Sequence, residues 1–152
     1  ITIKMVAEGI VLIIPFLLLR KFAGGFHFKT PLPCIITSVL VLYGFLLETR
    51  VILSYEYYVI HSLFVYCSLF PLLILSPIDS DNRRLSAKEK NIFHRITIIL
   101  ASIFATIYTL LLIFHLYRAA IPLGAGMVLT ACLQFPCLLE NRKKSNTQSA
   151  IR

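Results

Sequence analysis

The sequence predicts an all-α fold, a polytopic integral membrane helical bundle of about five spans or partial spans, and three observations carry that prediction. The chain of 152 residues is 58% hydrophobic with a mean hydropathy of +0.83, well above the average soluble domain. Its charges stand in short clusters between long apolar runs, whereas a soluble chain of this length would spread polar residues along every element to cover its surface. The runs approach the roughly 20 apolar residues that a helix needs to cross roughly 30 Å of hydrocarbon.

Five apolar stretches follow in order: Met5 to Leu19, Pro33 to Leu47, Val51 to Leu75, Ile96 to Leu116 and Ala119 to Leu139. The first two are expected to fall short of a full crossing, because fifteen helical residues cover only about 22 Å. The polar stretch from Ser76 opens with turn formers and ends in a helix-start signal. Ser86 followed three positions later by Glu89 fits a capping box, in which each side chain satisfies a free amide at the other's end of the first turn. The fourth helix is therefore expected to begin near Ala87, ahead of its apolar part. Residues 1–140 read as one transmembrane helical domain and 141–152 as a polar cytoplasmic tail. Ile1 stands first and the opening apolar run is under way by Met5, so upstream sequence is expected. No small-residue cleavage site follows that run, so nothing predicts a cleavable secretion signal.

The net charge is +8, from 15 Lys and Arg against 7 Asp and Glu. Nucleic acid is not the expected partner. The cations flank apolar segments, where they set orientation and meet anionic lipid heads. With the Ser76–Arg95 loop in the cytoplasm, alternation of five spans leaves only Lys4, Arg50 and Arg118 outside and the other twelve cations inside. The positive-inside bias favours that topology over its inverse. It also assigns His27 and Cys34 to the cytoplasmic face.

The segment from Arg20 to Cys34 is the least lipid-like part of the first fifty residues and holds an imidazole and a thiol. A peptidase thiol attacks as its thiolate, and a nearby imidazole can take its proton and later protonate the leaving amine. On one straight helix His27 and Cys34 would stand about 10.5 Å apart along the axis, beyond hydrogen-bond reach, so the chain must bend between them. Pro31 and Pro33 are tolerated at a helix start or outside a helix. A helix capped by Thr30 with Pro31 at its first position would put Cys34 in the first turn, where the helix dipole favours a thiolate. Gly24 and Gly25 allow backbone amides to approach a substrate or an oxyanion. A polar interfacial loop followed by a buried Cys would read much the same from these residues alone.

The run Arg20, Gly24-Gly25-Phe26-His27 and then Cys34 resembles the core motif of the accessory gene regulator B family. The stretch Pro77 to Leu85, followed by Glu89, is similar to that family's polar loop, and the likeness extends over essentially the whole chain, with the family's N-terminal portion missing. The resemblance implies a bacterial membrane cysteine endopeptidase of quorum sensing. Its partner would be a small propeptide of the accessory gene regulator D type, whose acyl group would pass to Cys34, with His27 as base and then acid. Capture of that thioester by a side chain of the peptide would close a thiolactone or lactone ring. Arg20, Gly24, Gly25 and Lys29 would support substrate or oxyanion, and Arg83 and Arg84 would attract an acidic precursor tail. Each of these cations can equally serve topology or lipid contact. Asp79 and Asp81 could orient His27, although turn formation explains them as well. No third catalytic residue is named.

Glu8, Glu56 and His61 lie inside apolar runs, where ionisable groups are costly and so become functional candidates. Glu56 is expected to reach water by snorkelling from near the start of its span, and Glu8 and His61 either bond between helices or meet substrate. Cys67, Cys132 and Cys137 lack metal-ligand spacing and read as small hydrophobes. No metal or organic cofactor is called for. His94 and His115 are expected at the two interfaces of the fourth span, and Tyr55, Tyr57 and Tyr58 in an outer aromatic belt. Gly124 and Gly126 read as close-packing points. A homodimer is compatible with the sequence, but no pattern specifies one. Two other function classes fit the same hydropathy: a small transporter or channel using Glu8, Glu56 and His61 as a polar path, and a non-catalytic assembly subunit. No inverted repeat or pair of broken helices supports the transporter.

Overall fold

The structure, a computed structural model, describes residues 6–23, 31–77 and 86–135. Those residues form five helices and no strand: α1 (Val6–Ala23), α2 (Pro31–Tyr55), α3 (Tyr58–Ile74), α4 (Ala87–Ile113) and α5 (Tyr117–Cys132). The division proposed at residue 140 lies outside the described residues.

The helices alternate in direction. One end of the bundle gathers the close of α1, the start of α4 and the residues just beyond α3 and α5. There the Phe22 and Phe93 rings meet edge to face at 5.7 Å. At the same end His94 Nδ1 lies 2.6 Å from the Ser76 carbonyl oxygen, and Gln134 Nε2 donates to Ser76 Oγ at 2.6 Å. The opposite end gathers the start of α1, the α2–α3 turn and the α4–α5 turn. Tyr58 and Tyr117 stack there with ring centroids 4.0 Å apart.

The boundary between the second and third helices departs from the sequence reading. The second helix does not stop at Leu47 but runs on for 25 residues, about 37 Å, through Glu48, Thr49 and Arg50. It is therefore not a short span. The Thr49 hydroxyl donates to the Phe45 carbonyl at 2.9 Å, so its polar group is satisfied within the helix and gives the chain no reason to turn. The turn comes at Glu56, whose φ of 56° is left-handed, and the third helix is correspondingly shortened to 17 residues. Glu56 is an exposed turn residue and not a group reaching out from inside a span. By contrast α4 begins where expected. Ser86 Oγ accepts from the Glu89 amide and the Glu89 carboxylate accepts from the Ser86 amide, completing the capping box.

Helix α5 is the hub and packs against each of the other four. Eleven of its residues are buried, from Ala120 to Ala131. Its small side chains make this feasible. A Cβ at Gly126 would run into the Leu12 carbonyl oxygen of α1, and one at Gly124 would stand 2.6 Å from Val65 and 2.8 Å from Tyr108. Both glycines are close-packing points, as the sequence suggested. On one side of the hub, Leu19, Val65, Leu72, Phe104 and Met127 form the main core; on the other, Leu12, Phe16, Ala125 and Leu129 form a second, covered by α2.

The exterior is apolar as well. Two stretches are long and apolar enough to cross a membrane, Ile36–Tyr55 in α2 and Lys88–Ile113 in α4. Only 11% of the apolar window in the first and 22% in the second is buried within the protein. A core helix of a soluble fold would be mostly covered; these helices present Val39, Leu40, Ile99 and Ile103 outward, a surface that needs lipid.

Candidate functional site

Helix α1 ends at Ala23, fully buried, with Arg20 and Lys21 in its last turn, where cations oppose the negative end of the helix dipole. Arg20 stacks its guanidinium 5.3 Å from the Phe16 ring centroid, and the Lys21 ammonium lies 5.4 Å from that of Phe22. After seven intervening residues α2 begins at Pro31, the position expected from the fixed φ and missing amide proton of proline. Cys34 is thus the fourth residue of α2, in its first turn, the end of a helix that carries free backbone amides and the positive end of the dipole. Of the other residues assigned to this site, Gly24, Gly25, His27 and Lys29 lie outside the described residues. So do Arg83 and Arg84, together with Asp79 and Asp81.

The same end of the bundle as the close of α1 holds a further set of polar contacts. Ser76, buried, closes α3 and is held from two directions. The carbonyl of Ser76 can only accept, so His94 carries its proton on Nδ1 and ties the start of α4 to the end of α3. Gln134, wholly buried, ties the residues beyond α5 to the Ser76 hydroxyl. His94 lies near the start of α4, and His115 lies just beyond its other end, in a turn with φ of 56°.

Among the described residues no hydrogen bond joins His61 to Glu8 or Glu56, the other groups of the polar path that a transporter would use. Glu56 has moved into the turn. His61 is 2% exposed, and neither ring nitrogen has a hydrogen-bond partner among the described residues. Its Nδ1 lies 3.8 Å from Glu48 Oε1, beyond hydrogen-bond length. Glu48 was missed in the sequence because it stood in the presumed gap between two runs. A helix carried through that gap would have turned it toward α3. Polar bonding between α3 and α4 is made instead by Ser62 with Tyr108 and by Tyr66 with Thr109, each at 2.9 Å. Cys67 and Cys132 are free thiols on outward faces, consistent with small hydrophobes; Cys137 lies outside the described residues. No group of three or more His, Cys, Asp or Glu among the described residues could hold a metal.

A family model described as Accessory gene regulator B (AgrB) matches residues 1–136. No curated protein and no solved structure matches the chain.

Proposed function

This chain belongs to the accessory gene regulator B family, whose members process propeptides in quorum sensing, and from that premise we propose that it is a cysteine endopeptidase embedded in the bacterial cell membrane. The thiolate of Cys34 attacks the peptide bond on the C-terminal side of the future signal in a small precursor of the accessory gene regulator D type. His27 takes the thiol proton and returns it to the amine of the departing tail. The thioester then passes to a side chain of the peptide, usually a Cys in this family, which closes a thiolactone and conserves the acyl energy that hydrolysis would dissipate. Gly24 and Gly25 leave backbone amides free to meet the oxyanion. Arg20, Lys29, Arg83 and Arg84 draw in the acidic tail of the precursor.

The observation that carries this reading is the register of α2. A helix starting at Pro31 holds Cys34 in its first turn, where the helix dipole favours the ionised form of a thiol. The alternating helices add to it. Their alternation supports a multi-pass arrangement in which the Ser76–Arg95 loop lies in the cytoplasm and the mouth of α2 faces the compartment where the precursor is made.

The test is co-expression of the full-length protein with a short precursor bearing an amphipathic leader, an internal Cys or Ser and an acidic tail. Cys34→Ala and His27→Ala are each expected to abolish cleavage while the protein still inserts in the membrane. Undiminished processing by Cys34→Ala would end the peptidase reading.

A further inference from the structure

At the end of the bundle remote from Cys34 there is a cavity of about 630 Å³, walled by the start of α1, the last turns of α2, the start of α3 and the α4–α5 turn. Arg50 on its wall is sixteen residues beyond Cys34 in the same helix, about 24 Å away along the axis. The cavity is therefore separate from the site proposed for peptide cleavage.

Its chemistry is of two signs. Glu8 contributes a carboxylate whose Oε2 is buried and has no hydrogen-bond partner among the described residues. A buried oxygen left without a donor is costly, so this wall calls for a ligand that brings N–H groups. Arg50 and Arg118, both exposed, stand on the same cavity and call for an anionic oxygen. One small group satisfies both demands if it carries an ammonium and a phosphate together.

The surroundings favour a lipid as the bearer of that group. Tyr55 and Tyr57 stack at 5.8 Å and Tyr58 stacks on Tyr117, a ring of aromatic residues of the kind that marks a membrane–water interface. Next to the cavity along α1 and α2, Ile10, Leu47 and Val51 are 42–55% exposed and offer acyl chains an apolar bed. The geometry points to a binding site for a phospholipid with a primary-amine headgroup, such as phosphatidylethanolamine, with the ammonium donating to Glu8 and the phosphate held by Arg50 and Arg118. The assignment does not depend on the peptidase reading.

The full-length protein, purified and stripped of lipid in detergent, is titrated with phosphatidylethanolamine, phosphatidylcholine and phosphatidylglycerol of matched chains, and bound molecules are counted by native mass spectrometry. Phosphatidylcholine keeps the phosphate but has no N–H; phosphatidylglycerol keeps the phosphate but has no cation. The ethanolamine lipid is expected to bind about tenfold more tightly than either, a difference of the size a charge-assisted hydrogen bond provides. Glu8→Gln should erase that preference, and Arg50→Ala combined with Arg118→Ala should weaken all three lipids. Equal binding of the ethanolamine and choline lipids, or an undiminished preference in Glu8→Gln, overturns the proposal. Displacement of the lipid by equimolar soluble phosphoethanolamine, or by a short peptide with free termini, overturns the lipid as occupant.

Discussion

Replacing Gly126 with Ala adds one carbon at the closest helix approach among the described glycines. That carbon would collide with the Leu12 carbonyl oxygen and lie 2.8 Å from Pro15 Cγ. The obstacle is the backbone of α1 and the ring of a proline inside it, neither of which can rotate aside, so α5 must retreat as a body from the helix it covers most fully. Overpacking of this kind costs about 1–3 kcal/mol, and the immovable obstacle argues for the upper end. Alanine returns about 1 kcal/mol of helix propensity, which leaves a net loss of about 2 kcal/mol, or roughly 4–8 °C in midpoint for a chain of this size. Gly44→Ala provides the internal comparison, since a Cβ there meets nothing within 4 Å and the propensity gain stands alone. The protein has no Trp, so unfolding is best followed by far-ultraviolet circular dichroism in mixed micelles. Gly126→Ala as stable as Gly44→Ala would refute the close approach of α5 to α1.

Three further outcomes follow from contacts already described. Ser86→Ala removes the acceptor of the capping box and should cost about 1 kcal/mol, seen as faster hydrogen exchange in the first turn of α4 with the rest of the helix unchanged. His94→Phe breaks the bond to the Ser76 carbonyl and should cost about 1–2 kcal/mol in the same micelle unfolding, with exchange rising at the junction of α3 and α4. His61→Leu exchanges a buried imidazole without hydrogen bonds for an apolar side chain and should leave stability unchanged or raise it by about 1 kcal/mol; a loss above that size would mean that the approach to Glu48 is a stabilising contact.

The helical membrane fold was legible because hydropathy is a local property, and so was each helix start that has its own chemistry. Pro31 can stand at a helix start and not in its middle, and Ser86 with Glu89 forms a complete cap; both starts were found. The boundary between α2 and α3 was misjudged because Glu48, Thr49 and Arg50 look like an interruption in a hydropathy trace. The actual turn is made by Glu56 in a left-handed conformation, a geometry that glycine or asparagine would have announced and glutamate does not. His115 closes the next turn in the same way and leaves as little trace. Of the two sites, the thiol and imidazole stand seven positions apart and could be read along the chain. The cavity around Glu8, Arg50 and Arg118 draws its residues from positions more than a hundred apart, so no window of sequence contains it.

The position of α5 has a consequence for biogenesis. Helices leave the ribosome in chain order, and the one that fills the middle of this bundle is the last of the five. Until it arrives, α1 to α4 lack the surface against which each is packed, and the membrane must hold them as loosely associated hairpins. Truncation before Tyr117 should yield inserted helices that never acquire this common interior.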